Sequence, residues 1–236
     1  MGRKKIALVL TAILAVAVLL TFICVSWWFR HSAENGKASD SGQTASGNSD
    51  SAPKEILKAV LFGDAPFQYC SDGKTASADI TDVPALFDAD DPFMKIWEFS
   101  VADLDGDGEE EVILSVAGAA GDMGGKVILH RIDDAVYGYS TDNRTLVDLK
   151  TDGTYGYSDP TGLAETGIAV VTGFSSTGYT VEKLACAAGT YEGWDSFALD
   201  RQPAGEGDFM DMLSQQETKP NAEWHDFTDE NIDAIF

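Results

Sequence analysis

The sequence predicts an α+β protein, an antiparallel β-meander or hairpin sheet flanked by short N- and C-terminal helices and preceded by one transmembrane helix. Three observations carry this expectation. Residues 6–29 hold no formally charged side chain, residues 95–199 break into short β-rich runs separated by turn residues, and stretches with helical periodicity stand on either side of those runs. With 236 residues, 44% of them hydrophobic, the chain can bury one ordinary core, so a single globular domain is expected beyond the apolar segment.

The segment "IALVLTAILAVAVLLTFICVSWWF", residues 6–29, exceeds the ~20 apolar residues that cross a bilayer. Arg3, Lys4 and Lys5 precede it. Because basic flanks stay in the cytoplasm, the chain is expected to run with its N-terminus inside and its C-terminal part outside, Trp27 and Trp28 lying at the far interface. A cleavable signal peptide is the competing reading. Its apolar region is normally ~7–15 residues ahead of a small-x-small site, which only "CVS" at 24–26 loosely matches, so an uncleaved signal anchor is favoured. Ile23 before Cys24 argues against a lipoprotein, and Ile6 against N-myristoylation.

The expected organisation is a basic flank and anchor over 1–30, a Ser/Gly-rich tether over 31–53 and an extracytoplasmic domain over 54–236. The tether offers almost nothing to bury and reads as a flexible coil, with a mean reach of roughly 25 Å. Beyond residue 30 the chain carries 12 basic against 39 acidic residues, a net charge of −27. Such a surface repels nucleic acid and attracts cations and basic partners. Nucleic acid is therefore excluded as a partner. The expected partners are the membrane, through 6–29, and an unidentified extracellular protein or glycan.

"KEILKAVLFG", 54–63, places Ile56, Leu57, Val60 and Leu61 on one helical face, with Gly63 as its stop. "KIWEFSVA", "EVILSVAG", "KVILHRI", "AVYGYS", "TLVDLK", "TYGYS", "GIAVVTGF", "GYTVEKLACAA" and "YEGWDSFAL" then read as strands. Turns are expected at Asp133–Asp134, Asp152–Gly153 and Ser175–Gly178, the Asp-Gly pair giving the strongest signal. The two "YGYS" segments are expected at equivalent positions of two hairpins. "EGDFMDMLSQQ" and "DFTDENIDAIF" read as partly helical, Thr228 capping the second ahead of Asp229 and Glu230.

Six acidic residues occupy the nine positions from Asp103 to Glu111. Asp103, Asp105 and Asp107 alternate, Gly108 follows, and Glu111 comes four residues after Asp107, a D-x-D-x-D-G-x-x-E spacing. Ca²⁺ takes six to eight hard oxygens at ~2.3–2.6 Å, and carboxylates at loop positions 1, 3 and 5 wrap around one point. Glu109 would supply its main-chain carbonyl and Glu111 its carboxylate. Position 12 is Leu114, which cannot close an EF-hand with a bidentate carboxylate. Since Leu114 belongs to an apolar strand and "IWEFSVA" precedes the loop, a strand-loop-strand site fits better. The all-oxygen donor set favours Ca²⁺ as cofactor.

"VADLDGDGEEEVIL" resembles the calcium loop of FG-GAP and VCBS-type repeats, in which such a loop links two antiparallel strands. The resemblance implies Asp103, Asp105, Asp107 and Glu111 as side-chain ligands and Glu109 as a carbonyl ligand. It covers about twenty residues and a single copy, so a β-propeller is excluded by count. The wider layout also resembles a group of membrane-anchored surface proteins of Gram-positive bacteria. That likeness implies no activity.

Other chemistry is thinly represented. "FDADDPF" groups Asp88, Asp90 and Asp91 but lacks the glycine and the later carboxylate, and reads as a solvated turn. There is no G-x-S-x-G, no C-x-x-C and no H-E-x-x-H, and the histidines are His31, His130 and His225. His130 reads as a strand-face residue and His225 as a partner or cap of the last helix. The Tyr and Trp residues of "VYGYS", "TYGYS" and "TYEGWDSF" read as cross-strand pairs before they read as a binding surface. Cys70 and Cys186 could pair in an export compartment or stay as buried thiols; their separation decides neither way. The function expected is a non-catalytic binding or surface-interaction module with a mainly structural Ca²⁺. The alternative is a carboxylate-dependent hydrolase of cell-wall or extracellular glycan, which needs a pocket with two carboxylates ~5–9.5 Å apart.

Overall fold

A computed structural model of the chain describes residues 51–118, 124–159, 161, 164–190 and 192–236. The expected anchor at 6–29 and the tether up to residue 50 lie outside the described residues. No described helix is long and apolar enough to cross a membrane.

The opening helix α1 spans Ser51–Leu61 and so takes in the last three positions assigned above to the tether. Pro53 is tolerated there because the first-turn N–H groups of a helix have no intrahelical acceptor. Gly63 ends the helix as expected, with φ of 76° and its N–H bonded to the Val60 carbonyl at 3.0 Å. There follow β1 (Phe67–Ser71), β2 (Lys74–Ala78), a 3-10 helix (Ile80–Leu86), β3 (Lys95–Ala102), β4 (Glu111–Ala117), β5 (Gly124–Ile132) and β6 (Ala135–Asp142). The second half holds β7 (Tyr155–Ser158), β8 (Glu165–Ser175), β9 (Gly178–Thr190), β10 (Gly193–Leu199), β11 (Gln202–Ala204), α2 (Glu206–Thr218), β12 (Trp224–Asp226) and α3 (Asp229–Ile235). Thr228 caps α3 as predicted, its side chain accepting from the Asn231 N–H.

The α+β class holds, but the strands form two sheets where the sequence suggested one meander. The first sheet has the order β12-β3-β4-β5-β6-β1-β2 and the second β11-β10-β9-β8-β7. All pairings are antiparallel except β1 with β6, which run parallel. The break falls at "TLVDLK", expected as a strand. Leu146 and Asp148 adopt left-handed φ values of 55° and 49°, which no ladder accommodates, and the segment makes only the isolated bridges Val147↔Gly156 and Lys150↔Asn221. Consequently the two "YGYS" segments lie in different sheets, on β6 and β7, and not in equivalent hairpins. The β1–β2 hairpin, turning at Asp72 and Gly73 with φ of 51° and 71°, escaped the sequence reading because β2, "KTASA", is almost wholly exposed and has no apolar alternation.

The first sheet is covered on both faces. Phe99, Val112, Leu114, Val127 and Leu129 pack with Leu57 and Val60 of α1, Val83 of the 3-10 helix and Ile232 of α3. On the opposite face Ile113, Ile128 and Tyr139 pack with Tyr155, Ala169 and Val171 of the second sheet. A third cluster sets Phe209 of α2 against Ile168, Ala185 and Ala187. The layers thus run helices, sheet, sheet, helix. Burial on both faces explains why β4 and β5 read as near-continuous apolar runs. Ile113→Ala and Leu114→Ala, neighbours on opposite faces, are each expected to cost ~2–5 kcal/mol in denaturant unfolding. A sheet with one wet face would lose that much at only one of the two positions.

Candidate metal centre

The β3–β4 ladder ends at the pair Ala102↔Glu111, which closes the hairpin loop 103–110. A strand-loop-strand arrangement was the expectation, and the structure has it. Inside the loop the aspartates are turned by the backbone itself. Asp103 Oδ1 accepts from the Gly106 N–H at 2.8 Å and Oδ2 from the Gly108 N–H at 3.0 Å. Asp105 accepts from the Asp107 N–H, and Asp107 from the Glu109 N–H at 2.7 Å. Gly106 and Gly108, with φ of 78° and 90°, supply left-handed turns that L side chains resist.

Asp103, Asp105 and Glu111 converge, offering oxygens that all lie within 4.8 Å of one another. Two oxygens each ~2.4 Å from a common ion can be no more than ~4.8 Å apart, so this spacing fits a Ca²⁺ shell, whose remaining places go to further oxygens or water. Asp107 falls outside the trio, and the Glu109 carboxylate pairs with Arg131.

Glu111 differs from the two aspartates in being fully buried. Its Oε2 accepts from the Leu104 N–H at 2.7 Å, and its Oε1 lies 2.7 Å from Nδ1 of His130. An ionised carboxylate can only accept, so in that state the ring donates. Burial raises the Glu111 pKa above the usual carboxylate range, against the opposing effect of the His130 and Leu104 hydrogen bonds. Asp105 is also raised, first by burial and then by the neighbouring Asp107. Both shifts express the cost of holding a carboxylate charge partly out of water and, for Asp105, beside another.

His130 is a strand-face residue of β5, as expected, but its contact with Glu111 was not foreseen from the sequence. The register Val112↔Leu129, carried one step on, sets it across from Glu111, on the face that meets the second sheet. Its ring stacks on Phe174 of β8 with centroids 4.2 Å apart and planes at 18°. Strand alternation in "KVILHRI" could have placed His130 with Ile128 on one face, but only the β4–β5 register brings Glu111 opposite. Leu104, between the first two aspartates, is buried with Leu146, Leu149 and Tyr155 and pins the loop to the core. Beside it Gly153, φ 77°, sits so close that a Cβ would lie 2.8 and 2.9 Å from the Asp103 and Leu104 carbonyl oxygens.

A cleft of about 610 Å³ opens next to the loop, lined by Asp103, Glu111, His130, Arg131, Lys54 and Phe236 among others. Glu110 pairs there with Lys54 at 2.9 Å. The other candidates stay separate. Asp88 and Asp91 accept from the N–H groups of Asp90 and Phe93 in an exposed turn. Cys70 and Cys186 are both free, and Cys70 donates to the Ser176 carbonyl at 3.2 Å. His225 packs against Phe99 at 5.7 Å, while Tyr139 and Tyr155 are core residues.

Comparison with protein-family models, curated proteins and solved structures finds no match to this chain.

Gly153→Ala is expected to lower stability by about 1–3 kcal/mol, because left-handed backbone and a contact with two carbonyls allow no cheap relaxation. The denaturation midpoint measures this, and an unchanged midpoint would mean that Gly153 does not support the loop.

Proposed function

We propose that this chain is a membrane-anchored, extracytoplasmic calcium-binding module in which the ion is mainly structural and the domain acts by binding a protein or glycan, without catalysis. The observation that carries the metal reading is the convergence of Asp103, Asp105 and Glu111 within 4.8 Å, with Glu111 buried. Oxygen-only donors favour Ca²⁺ over the softer divalent metals. In this reading Asp107 and the Glu109 carbonyl complete the set that the spacing implies. The anchor reading rests on the uncharged run 6–29 behind Arg3, Lys4 and Lys5, and the extracytoplasmic placement on the positive-inside bias.

The non-catalytic reading is favoured by the state of the carboxylates at the cleft. Glu109 is paired with Arg131, Glu110 with Lys54 and Glu111 with His130. Asp103, the remaining carboxylate side chain lining the cleft, accepts from the Gly106 and Gly108 N–H groups of its own loop. The bound ion would offset part of the acidic self-repulsion and join the two strands that enter and leave the loop. At ~1 mM external Ca²⁺ and a Kd of ~0.1 mM, mass action contributes about 1.4 kcal/mol.

Thermal unfolding with ~1 mM Ca²⁺ against a chelator should show a rise of roughly 3–5 °C, with Mg²⁺ giving much less because it dehydrates reluctantly. Asp105→Asn should remove most of that rise. A melting point indifferent to Ca²⁺ would reduce the loop to an acidic surface turn.

A further inference from the structure

We propose that His130 is the positioning residue of the ion site, fixing the Glu111 carboxylate for coordination and, through its stack on Phe174, tying ion occupancy to the packing of the second sheet. The proposal rests on the calcium reading above and goes beyond it by assigning a role to a residue outside the loop.

The two aspartates and Glu111 are held by different means. Asp103 and Asp105 are oriented by N–H groups of the loop itself, so their placement is local. Glu111 opens β4, and one of its two oxygens depends on a side chain from another strand, His130 Nδ1 at 2.7 Å. Each carboxylate oxygen keeps a second lone pair for a cation. A fully buried carboxylate without that donor would turn toward another hydrogen-bond partner, which removes it from the ion.

The far side of the ring makes the connection. His130 lies nearly parallel to Phe174 at 4.2 Å, and Phe174 in turn meets Tyr139 at 5.4 Å and Tyr179 at 6.0 Å. Phe174 belongs to β8 and Tyr179 to β9 of the second sheet, whereas Glu111, His130 and Tyr139 belong to the first. Any force that holds Glu111 in its ligating position therefore holds the imidazole plane against which β8 packs.

The donor and the ring can be separated by substitution in the full chain. His130→Asn retains an N–H donor near the place of Nδ1 and loses the ring, His130→Gln moves the donor outward, and His130→Phe keeps a ring and loses the donor. Calorimetric Ca²⁺ titration should find the Asn variant within about threefold of the parent, and the Gln and Phe variants weakened tenfold or more, the usual effect of removing a group that orients a metal ligand. Ca²⁺ should slow amide exchange around Phe174 in the parent and not in the Asn variant. If Gln binds as tightly as Asn, the positioning role is overturned. Equal calcium protection of β8 in parent and Asn variant overturns the coupling. Should His130→Phe not fold, the Asn and Gln pair decides alone, since both lack the ring and differ in where the donor sits. A parent chain that takes up no Ca²⁺ overturns the calcium reading, and this inference with it. A parent that binds while all three variants bind equally overturns this inference only.

Discussion

The arrangement of this domain turns on one buried carboxylate. Glu111 is the first residue of β4, sealed from water beneath an acidic turn, and a carboxylate in that position is tolerated only with donors on both oxygens. The Leu104 N–H and the His130 ring provide them. That requirement constrains the loop from Asp103 to Glu110, since Leu104 must bring its amide to Glu111 while its side chain enters the core. It also constrains β5, since His130 must lie directly across the ladder. Burial raises the Glu111 pKa in spite of these donors, because a charge withdrawn from water is disfavoured.

The double-layered packing supplies the rigidity that such a site needs. The first sheet is buried on one face by α1, the 3-10 helix and α3, and on the other by the second sheet, so the side chains of β4 and β5 are held in two packed cores. The loop therefore opens from a strand, β4, that is packed on both faces. Gly153, from the segment that links the two sheets, closes on the loop from the other side. Loop geometry is thus set by contacts from three separate parts of the chain.

Much of this was legible in the sequence, for physical reasons that also mark the limits. Strands β3 to β10 and the caps at Gly63 and Thr228 were readable because alternation, turn chemistry and capping are local. The hairpin loop 103–110 was readable because its Asp and Gly turn residues are local too. Two sheets instead of one meander, the parallel pairing of β1 with β6, and the contact of His130 with Glu111 were not, since each depends on which strand lies beside or behind another. The polar edge strand β2 carried no hydrophobic signal. In "TLVDLK" the apolar periodicity suggested a strand, but Leu146 and Leu149 instead anchor an irregular crossing in the second core.

A crystal structure of the domain grown with Ca²⁺, with the ion identified by its anomalous scattering, tests the calcium site most directly. One ion should be bound by oxygens of Asp103, Asp105 and Glu111 at ~2.3–2.6 Å, with the Glu111–His130 contact kept. A loop without the ion at saturating Ca²⁺, or an ion held by the aspartates while Glu111 stays turned to His130 alone, would contradict that assignment.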